Sequence, residues 1–340
     1  MQDFLDSTNF TSIFISLVVF KFLLETYLKI RNISSIQKNK NKIPERFKNL
    51  VTEEEYQKSI EYNLDRVKFQ IFTAFFGSTV LIVFTLGGLF NYLAKLVINT
   101  TSSDVLGAVL LGLLLLIVEE IISTPVSIYS TFVIEERHGF NKTTKKTFAT
   151  DVVKSLLISA TISSLLYAIV IYIVVNLGEM WWLYAFGAVF LLQAIIFFLY
   201  PVLIMPLFNK FEPLDDEAFK KPIEKLLEKI DFKSKGLFVM NASLRSTHGN
   251  AFFTGFGKNK RIVFFDTLLK TITPDEMEAI LGHELGHYKL GHIKKGLLSS
   301  LVFGFIGFYL LSEIIQSNNF FLDHGLENLT IYSKFLLFYL

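Results

Sequence analysis

Long uncharged stretches dominate the hydropathy pattern of this chain. No Asp, Glu, Lys or Arg occurs over residues 69–94, 155–178 or 181–209, which are 26, 24 and 29 positions long. A helix needs about 20 apolar residues to cross the hydrocarbon core of a membrane, and buried helices of soluble proteins rarely reach this length. We therefore interpret all three stretches as membrane spans.

Further apolar stretches extend this count. Three of them are long enough to be spans, namely residues 10–28, 105–134 and 296–312. The first is expected to be an anchor and not a cleaved signal peptide, because acidic Asp3 and Asp6 precede it. Residues 329–340 resemble the opening of another span. The pattern predicts an α-helical multi-span membrane protein with six spans and a started seventh.

Basic residues concentrate in alternate connections between these stretches. Residues 29–68, 135–154 and 210–295 are rich in Lys and Arg, whereas the other connections carry almost none. The positive-inside rule therefore predicts that the basic loops are cytosolic and that the N-terminus is outside. We expect a plasma-membrane location if the source is prokaryotic and the endoplasmic reticulum if it is eukaryotic.

Composition narrows the possible functions. The chain has 33 Lys and Arg against 31 Asp and Glu, so it lacks the basic excess of a nucleic-acid-binding protein. Hydrophobic residues make up 51% of the chain, which argues against intrinsic disorder. The absence of Cys excludes disulfides and cysteine-based metal sites. The expected partners are the lipid bilayer and a peptide or protein substrate, with no nucleic acid.

Residues 210–295 form the only sizeable polar segment. Its pattern predicts a helix over 215–230, a strand over 236–240, and a β-hairpin whose strands, 250–256 and 261–265, flank the turn 257–260. Thr273 followed by Pro274 and two acidic residues is typical of a helix start. We therefore expect a small α+β domain.

The predicted helix after Thr273 contains His283-Glu284-Leu-Gly-His287. Residues four apart share one helix face, so both imidazoles can bind the same Zn²⁺ ion. Glu284 would project beside the metal and accept a proton from its bound water. The motif predicts a zinc metalloendopeptidase with one Zn²⁺ per chain, the alternative being an accidental match.

A third ligand is needed, because zinc peptidases use three protein ligands and a water. His292 lies nine residues after His283 where the metzincin pattern requires ten, so we expect it to end the helix near the membrane surface. The other candidates are loop residues or fall toward the opposite side of the membrane: His138, His248, Glu313, His324 and Glu327. None of them is a convincing ligand.

Several longer motifs resemble those of the integral-membrane CAAX prenyl proteases of type 1. They cover residues 132–144, 206–213, 246–257, 260–269 and 283–292. The resemblance implies a gluzincin-type domain inserted between the fifth and sixth of seven spans, with the active site at the cytosolic end of a chamber. We accordingly divide the chain into a membrane domain, 1–209, a metallopeptidase domain, 210–295, and a final membrane segment, 296–340.

The resemblance also implies that the third zinc ligand is a Glu after the seventh span, which we expect beyond residue 340. The metallopeptidase domain within these 340 residues would then be incomplete. Either the sequence is a fragment, which its end inside an apolar run favours, or the protein does not hold zinc as the family does. The activity of the 340-residue form stays open.

The implied substrates are CAAX-type prenylated peptides or other membrane-associated peptides. Asn250, Ala251, Phe252 and Phe253 are expected to form an edge strand that pairs with an extended peptide. The alternative is that Phe252 and Phe253 only pack the core. Other functions left open are a quality-control protease for membrane proteins and a catalytically incompetent membrane scaffold.

Charged residues near the third predicted span have two interpretations. Glu119 and Glu120 would cost about 2.5–3.5 kcal/mol each inside a membrane, and such residues tend to be functional. They either face a water-filled chamber or mark the end of the span, with a new segment starting at Pro125. Glu135, Glu136 and Arg137 are expected to form a structural loop that docks on the catalytic domain.

Overall fold

The computed structural model describes residues 8–229, 232, 234–254 and 260–339. Within these residues, seven helices precede the first strand: α1 Phe10–Asn39, α2 Glu53–Phe84, α3 Leu89–Ile98, α4 Asp104–Tyr129, α5 Lys145–Asn176, α6 Trp181–Leu199 and α7 Met205–Phe208. Two π-helical turns, Ser130–Glu135 and Tyr200–Ile204, continue α4 and α6.

The rest of the described chain contains a small sheet and six more helices. The elements are β1 Phe211–Pro213, α8 Glu217–Lys229, β2 Gly236–Met240, β3 Ala251–Thr254, β4 Arg261–Phe265, α9 Asp266–Leu269, α10 Pro274–Lys289, α11 His292–Ile314, α12 Asn318–Asp323 and α13 Ile331–Tyr339. Short 3₁₀ turns occur at Glu45–Phe47, Gly178–Met180 and Ala242–Leu244.

Five helical segments in the described part of the chain are long and apolar enough to cross a membrane. They are Glu53–Phe84, Asp104–Glu135, Lys145–Asn176, Gly178–Phe208 and His292–Ile314. The helical multi-span architecture is confirmed to this extent. Helix α1 is not one of the five, and α13 has only nine residues. The spans predicted over 10–28 and from 329 onward stay predictions.

The uncharged stretch 69–94 is not one helix, which corrects the predicted second span. Helix α2 begins at Glu53 and ends at Phe84, and α3 begins after Gly88. Gly88 has a φ of 76°, a conformation that glycine adopts without steric cost. A Cβ on Gly87 would lie 2.6 Å from the carbonyl oxygen of Val83. Two glycines therefore interrupt a stretch that hydropathy alone presents as continuous.

The chain comprises two compact units. One contains Met1–His138, Leu156–Trp182 and Tyr309–Leu340. The other contains Gly139–Ser155 and Leu183–Phe308, and thus the whole sheet and α10. The functional boundaries at residues 210 and 295 stay predictions.

In the first unit, a polar cluster joins α2 to the end of the π-helical turn after α4. The Tyr62 hydroxyl donates to Glu135 Oε1 at 2.7 Å, and Asp65 Oδ2 accepts from Arg137 Nη1 at 2.9 Å. His138 Nε2 lies 3.1 Å from the same Asp65 oxygen. These contacts give Glu135 and Arg137 a structural role, but residues 135–137 are helical, so the predicted loop is wrong. The predicted docking on the catalytic domain stays a prediction.

In the second unit, the four strands lie in the order β1, β2, β4, β3. Strand β4 is parallel to β2 and antiparallel to β3, with Ala251 opposite Phe264 and Thr254 opposite Arg261. The predicted antiparallel pair is therefore confirmed, although part of its turn, 255–259, lies outside the described residues. Strand β3 occupies an edge of the sheet. Strand β1 was not predicted.

Helices α8 and α10 pack with the sheet around one hydrophobic core, which confirms the small α+β domain. Ile223 of α8 is fully buried and belongs to the same cluster as Phe264 of β4 and Leu281 of α10. Since α10 is held by this cluster, its orientation decides which side chains of the histidine motif face outward.

Candidate metal centre

Helix α10 begins where the sequence predicts it. The Thr273 hydroxyl accepts from the Glu276 backbone N–H, and the Glu276 carboxylate accepts from the Thr273 backbone N–H at 2.7 Å. Pro274 occupies the first helical position. Hydrogen bonds from the Thr273 backbone N–H and from its hydroxyl lower the pKa of Glu276 below its ordinary value, and the backbone N–H has the larger effect. This reciprocal capping box satisfies free N–H groups of the first turn.

One apolar stripe fixes the rotation of α10. Met277, Leu281 and Leu285 recur every four residues and are buried in the core beside the sheet. Residues two positions beyond Leu281 and Leu285 lie about 200° around the helix axis, on the other side. His283 and His287 are exposed accordingly, and Glu284 is half-buried at the boundary between the two faces.

The two motif histidines turn the same ring nitrogens toward each other. His283 Nε2 and His287 Nε2 are 3.1 Å apart. Two nitrogens that each lie 2.0–2.1 Å from a tetrahedral zinc ion are about 3.3 Å apart. The donor types and their separation therefore fit a shared Zn²⁺, and Glu284 follows the first of them directly in the chain.

A complete ligand set is not present in the part of the chain that the structure describes. No group of three or more His, Cys, Asp or Glu side chains there is placed to hold a metal ion. His248 stacks on Phe140 with a ring-centre distance of 4.3 Å, and His324 Nδ1 lies 2.6 Å from the Phe320 carbonyl oxygen. The motif can thus offer two ligand nitrogens, and both the zinc site and its third ligand stay predictions.

His292 occupies a different place from the one expected. Helix α10 ends at Lys289, Gly291 follows with a φ of 66°, and His292 is the first residue of α11. Its Nδ1 lies 2.6 Å from His287 Nδ1. Sequence spacing argued against His292 as a ligand but did not indicate this contact with Nδ1 of His287.

The expected substrate-binding residues divide between the core and a cavity. Ala251 is buried in the cluster that also contains Leu281. Phe252, Phe253 and Thr254 line a cavity of 610 Å³ within the second unit. Its other walls come from α6, the π-helical turn, α7 and α11: Gln193, Ile196, Phe197, Tyr200, Pro201, Met205 and Ile293. The volume falls in the range typical of ligand pockets, about 300–1,000 Å³. Asn250 precedes this strand and is exposed.

Arg245 anchors the segment that leads into β3. Its Nε and Nη2 donate to the two carboxylate oxygens of Asp151 at 2.7 and 2.9 Å. Nη1 donates to Asn209 Oδ1 at 2.9 Å, and Nη2 also donates to the Phe208 carbonyl at 2.8 Å. One guanidinium therefore joins its own segment to two others, at Asp151 and at residues 208–209. Sequence reasoning missed this role, because a single Arg gives no indication of its partners.

The two glutamates of α4 lie within a continuous helix, in the first unit. Helix α4 runs through Pro125 to Tyr129, so the interpretation that a new segment starts at Pro125 is wrong. Glu119 lines a cavity of 370 Å³ between α2 and α4. Glu120 accepts a hydrogen bond from the Thr124 hydroxyl at 2.8 Å. Glu119 therefore faces an open cavity, in line with the interpretation that it faces a water-filled chamber, whereas Glu120 is not among the residues that line this cavity.

Comparison with protein families identifies two adjoining regions. Residues 32–210 match the model described as the CAAX prenyl protease N-terminal region of five membrane helices. Residues 213–339 match peptidase family M48. The second match begins at the last residue of β1 and contains β2 to β4 and the histidine motif on α10.

Individual relatives match along nearly the whole chain. The CAAX prenyl protease 1 homolog of Oryza sativa is 32% identical over 329 residues, which cover 94% of this chain and 77% of that protein. CAAX prenyl protease 1 of Saccharomyces cerevisiae is 32% identical over 326 residues, covering 90% and 69%. The crystal structure of S. mikatae Ste24p superposes with a TM-score of 0.88 at 30% identity, covering 97% of this chain and 81% of that one. The chain therefore belongs to the type 1 CAAX prenyl protease family of M48 membrane metallopeptidases.

Proposed function

We propose that this protein is a membrane zinc metalloendopeptidase that cleaves CAAX-type prenylated peptides or other membrane-associated peptides. The observation that carries the proposal is the 3.1 Å approach of His283 Nε2 and His287 Nε2 on the exposed face of α10. It occurs in the region that matches a peptidase family and beside a sheet in which β3 is an edge strand among the described residues. The substrate class follows from the names of the relatives.

In this proposal His283 and His287 hold one Zn²⁺ as neutral imidazoles, together with an acidic ligand expected beyond residue 340. When bound, zinc acts as a Lewis acid and lowers the pKa of a coordinated water. Glu284 accepts a proton from the attacking water and then donates it to the leaving amine. Glu284 is half-buried and lies on the same helix as the motif histidines, directly after His283 in the chain.

Strand β3 supports peptide binding by strand addition. Since β3 is an edge strand, the backbone groups on its outer side are available to an extended peptide. Phe252, Phe253 and Thr254 line the 610 Å³ cavity, so a side chain of a peptide paired with β3 would have an apolar space to enter. The Ala251 side chain is buried and its backbone N–H donates to Asn250 Oδ1 at 2.9 Å, while the Asn250 carbonyl accepts from the Phe265 N–H. Asn250 and Ala251 would therefore take part only if a peptide displaced the Asn250 side chain.

We also propose that the catalytic region faces the cytosol, because the connections rich in Lys and Arg include residues 210–295. The membrane would be the endoplasmic reticulum in a eukaryote or the plasma membrane in a prokaryote. The quality-control and scaffold functions remain the alternatives, and they differ from the lead proposal in substrate preference and in zinc content.

The proposal is tested on the full-length gene product purified in detergent. We expect one zinc per chain, loss of that zinc in His283→Ala, and cleavage of a prenylated CAAX peptide in preference to the same peptide without the prenyl group. Equal cleavage of unprenylated, unfolded membrane proteins would favour quality control. A wild-type protein that contains no zinc and cleaves neither substrate would contradict the proposal.

A further inference from the structure

We infer that His292 is a positioning residue that orients the imidazole of His287 for metal binding. The inference rests on the proposed function, in which His287 is a zinc ligand. The two rings are 4.8 Å apart between centres at an angle of 66°, and their Nδ1 atoms are separated by 2.6 Å. His287 is thus in contact with His292 through one nitrogen and with His283 through the other.

The chemistry of imidazole assigns a role to each nitrogen. A metal takes the lone pair of His287 Nε2, so the proton of the neutral ring is on Nδ1. That N–H donates to His292 Nδ1, which must be an acceptor, and the proton of His292 is therefore on its Nε2. Metal-binding histidines almost always donate their second N–H to a carboxylate, a carbonyl or a water. Here an imidazole takes that place.

The same geometry argues against His292 as the third ligand. Its nearest approach is to Nδ1 of His287, whereas the pair that fits zinc is formed by the Nε2 atoms of His283 and His287. The two nitrogens of one imidazole point away from each other across the ring. His292 therefore lies behind His287 and not beside the metal position.

The contact depends on the turn between α10 and α11. In an uninterrupted helix, a residue five positions after His287 lies about 140° around the axis and points away from it. Gly291 has a φ of 66°, which ends α10 and redirects the chain, so that α11 starts at His292. A left-handed residue at this position is the reason that His292 can reach His287.

His292 and His287 are both exposed, so their hydrogen bond is not part of the folded core. Replacement of His292 should therefore leave folding intact and change metal binding. The replacements His292→Asn and His292→Gln separate the two nitrogens: Asn places its amide oxygen near the position of Nδ1, whereas Gln places it near that of Nε2. His292→Leu removes both acceptors, and Lys295→Leu is a matched control in the first turn of the same helix.

The experiment uses the full-length gene product and measures its dissociation constant for Zn²⁺ by competition with a fluorescent chelator. Thermal unfolding of the metal-free protein checks that each variant folds. We expect His292→Leu and His292→Gln to weaken zinc binding about 10–100-fold, as is typical when such a partner is lost. His292→Asn and Lys295→Leu should bind zinc like the wild type, and unfolding should be unchanged.

Wild-type zinc affinity in His292→Leu would overturn the inference while leaving the proposed function in place, and so would equal weakening by Asn and Gln. A wild-type protein that binds no zinc would instead overturn the proposed function, and this inference with it. Since the Asn and Gln variants have the same functional group, their comparison does not depend on how well the Leu variant folds.

Discussion

Lys260 donates a hydrogen bond of 2.8 Å to the hydroxyl of Tyr288, the residue that follows the second motif histidine. The lysine is only 9% exposed, and its ammonium lies 4.1 Å from the centre of the Tyr288 ring and 4.0 Å from that of Phe232. A cation over aromatic faces is stabilised by the ring quadrupoles. This contact attaches the last turn of α10 to the residue preceding β4.

Tyr288→Phe should destabilise the protein, because it leaves a buried ammonium without its hydrogen-bond acceptor. The expected loss is about 1–3 kcal/mol in the free energy of unfolding. The double variant Lys260→Met/Tyr288→Phe should recover part of it, since replacing both partners by apolar groups is far less costly. Thermal unfolding of the four proteins measures the coupling. If the losses of stability in Lys260→Met and Tyr288→Phe simply add in the double variant, the two residues do not interact.

The capping box of α10 predicts a pH-dependent contribution to stability. Because the folded protein lowers the pKa of Glu276 from its ordinary 4.5, its carboxylate stabilises the fold above that value. The contribution is lost as the pH falls through the lowered pKa. Unfolding curves of wild type and Glu276→Gln should therefore differ at pH 7 and converge in acid. A stability difference between wild type and Glu276→Gln that grows toward low pH would contradict this prediction.

Removing the other half of this box should weaken the helix start directly. Thr273→Ala eliminates the hydroxyl that accepts from the Glu276 N–H, and loss of such a cap costs about 1 kcal/mol. Thr273→Ser retains the hydroxyl and is the matched control. Equal stability of the Ala and Ser variants would mean that the cap contributes nothing.

Arg245 should be sensitive even to a conservative change. Lysine cannot reproduce the two-point contact with Asp151, so Arg245→Lys should lower stability by about 2 kcal/mol. It should also reduce peptide cleavage through a displaced β3, with zinc content unchanged. Arg261→Lys, at the start of β4, is the control. If Arg245→Lys cleaves peptide and unfolds like wild type, the guanidinium does not position the edge strand.

Gly291→Ala tests the turn that brings His292 to His287. A Cβ would meet no atom within 4 Å, so the penalty is the left-handed backbone itself, about 1–2 kcal/mol. We expect weaker zinc binding, as in His292→Leu. Gly296→Ala lies inside α11, also in open space, and should be neutral or slightly stabilising. Equal zinc affinity of the Gly291→Ala and Gly296→Ala variants would show that the turn at Gly291 does not affect metal binding.

Local chemistry made part of this structure predictable. The start of α10 was predictable because Thr273, Pro274 and Glu276 interact with their own helix turn. The antiparallel pairing of β3 with β4 was predictable because the two strands are adjacent in sequence. In both cases the interacting groups are close along the chain.

Features that depend on distant residues or on one backbone angle were not predictable. Counting charges did not detect the break at Gly88, because glycine is as uncharged as its neighbours. Strand β1 has three residues and forms only by pairing with β2, whose Met240 is opposite Phe211. The contact between His292 and His287 requires the left-handed turn at Gly291, which residue spacing does not reveal.

In the proposed mechanism, Glu284 performs proton transfer at a zinc site held by His283 and His287. The most direct measurement compares zinc content and prenylated-peptide cleavage in the wild type and in Glu284→Gln, both as full-length gene products. We predict that Glu284→Gln retains one zinc per chain and loses cleavage by about 10²–10⁴-fold. Wild-type cleavage by Glu284→Gln would contradict the account.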